Sequence, residues 1–127
     1  KKKMKGFGKR KISKKSNSKI NILKKDTILA KGFELHAQGN ILEAKNYYQI
    51  LLDEDYRDPR LFTNCAVIYQ NLGDTNQSIN LYKQSIAFFP TDLVAYSNLG
   101  SLLRDLGRLE EAEIFIRRAL ELNPEYL

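Results

Sequence analysis

Apolar residues recur three and four positions apart in six windows of about 13 residues, the spacing that lines one face of a helix. The windows predict helices near 26–38, 42–54, 59–72, 75–88, 93–106 and 109–122. Between the members of each pair sits a glycine with polar neighbours, in "QGN", "LGD" and "LGR". Asp58 and Asp92 precede helices and suit N-caps, because a short acceptor there takes up an orphan N–H. Pro59 suits a first helical position, where its missing N–H does no harm. Connections this short make neighbouring helices antiparallel.

The pattern is periodic. Residues 25–58, 59–92 and 93–126 align without gaps at a period of 34. Position eight is small (Gly32, Ala66, Gly100) and position fifteen is glycine (Gly39, Gly73, Gly107). Position twenty is small (Ala44, Ser78, Ala112), and position twenty-four is large (Tyr48, Tyr82, Ile116). Position thirty-two is proline in the later copies (Pro90, Pro124) but Tyr56 in the first. Gly100 falls inside a helix, where a small residue lets the paired helix approach. Gly107 ends one, where the turn needs φ > 0. One pair cannot bury its apolar faces alone, whereas three can share a core.

This register resembles the tetratricopeptide repeat family over about 100 residues. The third copy carries the resemblance best, with Tyr96, Leu99, Gly100, Gly107, Ala112, Ala119 and Pro124. The first diverges, with Ile28 and Lys31 at its usual aromatic and leucine positions. The expected fold is an all-α solenoid of three stacked antiparallel helix–turn–helix pairs over 26–127, behind a basic, largely disordered tail at 1–25.

The resemblance implies a concave groove lined by the first helix of each pair, and a protein or peptide partner. The groove positions carried over are Asp26, Leu29, Ala30, Phe33, His36 and Ala37 in the first copy. The second copy supplies Arg60, Thr63, Asn64, Val67, Gln70 and Asn71. The third supplies Val94, Ser97, Asn98, Ser101, Arg104 and Asp105. Asn64 and Asn98 share position six. An amide side chain both donates and accepts, so stacked amides can hold an extended peptide by its backbone. This is similar to the asparagine ladder of O-linked N-acetylglucosamine transferases. The family's other binding device, a clamp for C-terminal carboxylates, wants basic residues where Leu29, Val94 and Asn98 stand and asparagine where Phe33 stands. Similar bacterial arrays often precede glycosyl- or sulfotransferase domains, so the resemblance also implies an accessory, substrate-presenting role as an alternative.

Charge divides the chain. Residues 1–25 hold twelve Lys or Arg and no acid, while 26–127 hold nine basic and fifteen acidic residues. So basic a segment, low in apolar residues, cannot offset its ordering entropy, and disorder is expected to about Ser18. Lys9, Arg10, Lys11, Lys14 and Lys15 are the candidates for binding nucleic-acid phosphates or an anionic membrane. Phe7 is the tail's one aromatic, which gives base stacking little to work with.

Catalysis finds no footing. His36 is the one histidine, and no paired-carboxylate, Ser–His–Asp or metal-ligand pattern stands out. "GFGKR" at 6–10 lacks the spacing and context of a phosphate loop. The chain therefore reads as a non-enzyme with no cofactor, metal or small-molecule substrate. One cysteine, Cys65, forms no internal disulfide and sits where a buried apolar residue is wanted. With no apolar run long enough for a membrane, the expected location is the cytoplasm. Tyr47, Tyr48, Tyr82 and Phe115 are expected to pack between repeats. The last helix, with Ile114, Ile116, Ala119 and Leu120, has no capping helix after it. That implies a fragment of a longer array or self-association through this end.

Overall fold

A computed structural model of the chain describes residues 18–125. Those residues form six helices and no strand. They are α1 Ser18–Ala37, α2 Ile41–Asp53, α3 Pro59–Asn71, α4 Thr75–Phe88, α5 Leu93–Asp105 and α6 Leu109–Leu122. All boundaries but one fall within a residue of those the apolar spacing predicts. The exception is α1, which begins at Ser18 instead of near 26. No glycine or proline interrupts the chain from Ser18 to Lys31, so the helix propagates upstream through residues assigned by charge to the tail. The hydroxyl of Thr27 donates to the Leu23 carbonyl at 3.1 Å across that junction. Residues 1–17, with the expected disorder and the five polyanion candidates, lie outside the described residues.

The chain forms two compact units that meet in sequence between Tyr56 and Arg57. The first holds α1 and α2. Its core is built from Leu29, Leu35, Ala44, Tyr48 and Leu51. Gly32 faces the Tyr48 ring so closely that an added Cβ would lie 2.5 Å from Cε1. Lys25 Nζ meets Glu54 at 3.7 Å, and the Tyr56 hydroxyl bonds to Asp26. These contacts pin the end of α2 beside α1.

The second unit holds α3 to α6. Asp58 accepts the Arg60 N–H at 2.9 Å, with Pro59 in the first turn of α3. Asp74 caps α4 in the same way through the Gln77 N–H at 3.2 Å. The expectation for Asp92 fails, since its side chain closes no cap bond. Its carboxyl is instead half-buried, with Oδ2 enclosed and unpartnered. Helix α4 packs against α5, so the third copy stacks on the second, and α3 also touches α5.

Position fifteen behaves as the turn chemistry requires. Gly107 has φ +78°, as its two counterparts have similar values. The following Arg108 N–H reaches back to the Leu103 carbonyl at 2.9 Å, closing a Schellman cap. Gly100 abuts Ile116, and an added Cβ would lie 2.6 Å from Cγ1. In the second copy the small pair is Ala66 and Ser78, and the Ser78 hydroxyl donates to the Ala66 carbonyl at 2.8 Å. On α6, Ile114 and Leu120 are exposed and Ile116 is half-buried. Ala119, expected to lack cover, is fully buried and so faces the interior of its own pair.

Candidate peptide-binding face

The first helix of each pair presents its groove positions at helical spacing, so a polar stripe needs only the right residues every third or fourth place. On α3, Thr63, Asn64, Val67 and Gln70 are half-buried, while Arg60 and Asn71 are exposed. On α5, Asn98 and Ser101 are half-buried, and Arg104 and Asp105 are exposed. Ser97 is only 9% exposed, so it belongs more to the packing than to the surface. Because α3 touches α5, the structure brings position six of the second copy and position six of the third onto neighbouring helices.

The charges at the ends of this stripe are satisfied locally. Arg60 turns back onto its own helix cap: Nε donates to Asp58 Oδ1 at 3.1 Å and Nη2 to Oδ2 at 2.8 Å. That guanidinium holds the Asp58 carboxyl below the usual carboxylate range, against the opposing effect of burial. Arg104 lies 3.7 Å from Asp105. What remains between them is neutral amide and hydroxyl. Sequence spacing marks each of these residues but is blind to the pairing, which depends on side-chain rotamers.

Asn98 has a buried neighbour that sequence reading did not assign to it. Tyr82 on α4 is fully buried, and its hydroxyl has no hydrogen-bond partner. Burial pushes the phenol up, and the Asn98 amide beside it pulls the other way without reaching hydrogen-bond geometry.

In the first unit, Phe33 and His36 are half-buried and both rest on Tyr48, each with ring centroids 6.1 Å away. His36 Nδ1 lies 3.3 Å from the Tyr48 hydroxyl. These ring and hydrogen-bond contacts of Tyr48 lie within its own copy. Tyr96 and Phe115 also pair within one copy, at 6.5 Å. Cys65 is fully buried. Among the described residues no three His, Cys, Asp or Glu gather as a metal set. None of the described helices is long and apolar enough to cross a membrane. A second aromatic cluster, Phe62, Phe88 and Phe89, lies under the Arg57 guanidinium, which stands 3.9 Å from the Phe88 ring centre. It carried no periodic signal because Phe89 and Arg57 lie outside the helices.

Two models described as "Tetratricopeptide repeat" match residues 61–92 and 94–126. The chain is 31% identical over 106 residues to "Small glutamine-rich tetratricopeptide repeat-containing protein 2" of Mycosarcoma maydis, covering 78% of this chain and 30% of that protein. It is 33% identical over 100 residues to "Photosystem I assembly protein Ycf3" of Rippkaea orientalis, covering 71% of this chain and 58% of that protein. The chain thus spans less than two thirds of either relative. Among solved structures it is similar to the "First TPR of Spaghetti (RPAP3) bound to HSP90 peptide SRMEEVD". That match has a TM-score of 0.75 and 30% identity, and covers 83% of both chains.

Proposed function

The chain belongs to the tetratricopeptide repeat family, and on that premise we propose that its α3–α5 face holds an extended peptide or protein segment by its backbone. The family fold is in general a non-catalytic module for protein interaction, and this chain acts as such a scaffold. The observation that carries the reading is the placement of Asn64 and Asn98. They are half-buried, at the same repeat position, on helices that touch. A half-buried amide has lost part of its water and gains most from a partner that both donates and accepts, which is what a peptide unit offers. The flanking ion pairs, Arg60 with Asp58 and Arg104 with Asp105, leave little net charge to select a charged side chain.

The similar solved structure carries a peptide ending in EEVD. Here Leu29, Phe33, Val94 and Asn98 occupy the positions at which the family's carboxylate clamp needs other residues. Backbone recognition with little sequence preference is therefore the better-supported mode. The sequence's single cysteine fits a reducing, cytoplasmic setting better than an oxidising one.

The test is fluorescence anisotropy with a pool of unstructured random-sequence peptides against the full chain and the Asn64→Ala/Asn98→Ala variant. Weaker binding by the variant, across sequences alike, is expected. Unchanged affinity contradicts the amide mechanism.

A further inference from the structure

The hydroxyl of the fully buried Tyr82 on α4 finds no hydrogen-bond partner among the described residues. A hydroxyl taken out of water and left unpaired destabilises the fold, so phenylalanine would serve better if packing were the whole task here. The same repeat position in the first copy is Tyr48, and there His36 stands 3.3 Å from the hydroxyl. In the second copy Gln70 takes the place of His36 and does not close that bond. In the third, Ile116 replaces the tyrosine itself. The polar neighbour of the Tyr82 hydroxyl comes instead from the next copy. Helix α4 packs on α5, and the amide beside the phenol is that of Asn98, a groove residue that is half-buried.

A half-buried amide beside a buried phenol has an inner and an outer end, and the two ends differ: one donates, the other accepts. Burial keeps the phenol protonated, yet its oxygen still accepts a hydrogen bond. Asn98 favours ionisation of that phenol, which is the effect of an N–H aimed at its oxygen. On the premise that the α3–α5 face holds a peptide by its backbone, we propose that Tyr82 is the positioning residue for Asn98: in the complex its oxygen accepts from Asn98 Nδ2, which turns Oδ1 outward to accept a peptide N–H. In the free chain this bond is open. Binding closes it by rotation of the amide, and the unpaired hydroxyl gains its partner at that moment. Asn98 thereby reads an N–H, and proline, which has none, is excluded from the peptide position opposite it. Without the phenol oxygen the amide turns either way, and this discrimination is lost.

The test is competition anisotropy with a peptide selected from the random-sequence pool by its binding to the full chain. Its single amide-to-ester analogues each lack one N–H. The ester facing Asn98 is the one whose penalty disappears against Asn98→Ala. Against the unaltered chain that ester is expected to bind about five- to tenfold more weakly than the parent, and against Tyr82→Phe less than about twofold more weakly. Esters at other positions are expected to keep their penalties against Tyr82→Phe, and its melting temperature is expected not to fall, so a general loss of packing does not mimic the result. If the ester facing Asn98 keeps its full penalty against Tyr82→Phe, the phenol does not position the amide; the proposal is overturned while backbone holding stands. Equal loss of every ester penalty against Tyr82→Phe also overturns it, as does an ester effect that Asn98→Ala leaves in place at every position. If no ester weakens binding to the unaltered chain, backbone holding fails and the role of Tyr82 falls with it.

Discussion

The backbone N–H of Tyr56 donates to the carbonyl of Leu51 at 3.0 Å, closing the end of α2 through Asp55 at φ +58°. This accounts for the missing proline of the first copy. In the later copies the second helix ends on Phe89 and Asn123, whose N–H groups bond to Ser85 and Ala119, and proline follows. Proline has no N–H, so the first copy's cap cannot be built with one. The Tyr56 hydroxyl adds its bond to Asp26 in the same copy. Tyr56→Pro is expected to cost about 2 kcal/mol or more, since it removes both bonds and forces Asp55 toward extended backbone. Tyr56→Phe is expected to cost only about 0.5–1 kcal/mol. Urea unfolding of the two variants checks the order.

The repeat frame was legible because its signals are backbone demands. A turn at φ > 0 and a close helix contact leave glycine at fixed intervals, whatever the surrounding sequence. The start of α1 was not legible. Residues 18–25 look like tail by charge, yet a helix continues until something stops it, and nothing there does. At the candidate face, repeat position located Asn64 and Asn98 but hid the turn of Arg60 onto Asp58. The cap at Asp92 failed for a related reason: propensity describes a position, whereas burial of a particular carboxyl depends on the packing around it.

Gly100 and Ile116 form a contact with little slack. Gly100→Ala is expected to cost about 1–3 kcal/mol by overpacking, and less in an Ile116→Ala background, where the crowded Cγ1 is gone. Thermal melts of the four-member cycle measure the coupling. Additive losses would mean that the contact is not the source of the cost.

Two buried tyrosines at equivalent positions are expected to respond differently to loss of the hydroxyl. Tyr48 bonds to His36, so Tyr48→Phe is expected to cost about 1 kcal/mol. Tyr82 has a fully buried, unpartnered hydroxyl, so Tyr82→Phe is expected to be neutral or stabilising. Denaturant midpoints of the two variants make the comparison.

Asp92 and Asp58 pull stability in opposite directions with pH. Burial raises the Asp92 carboxyl above its ordinary range, with the N–H groups of Val94 and Ala95 offsetting part of the effect. The folded state therefore disfavours its charged form. That penalty applies in full above the folded pKa and disappears as pH falls through the carboxylate range. Asp92→Asn is thus expected to raise the melting temperature near pH 7, with the gain vanishing near pH 3. Asp58, held low by Arg60, contributes stability above its unfolded pKa and loses it as pH falls through its folded value. Removing that partner with Arg60→Ala should lower the melting temperature at neutral pH and have little effect in strong acid.

Backbone recognition by Asn64 and Asn98 is the central claim, and isothermal titration with backbone-modified peptides tests it most directly. A peptide that binds the full chain is compared with analogues in which single amides become esters, removing one N–H each and keeping every side chain. At least one ester is expected to weaken binding about five- to tenfold, as loss of one hydrogen bond would. The same ester should cost nothing further against Asn64→Ala/Asn98→Ala. If every ester analogue binds the unaltered chain as well as the parent peptide, these amides do not hold a peptide by its backbone.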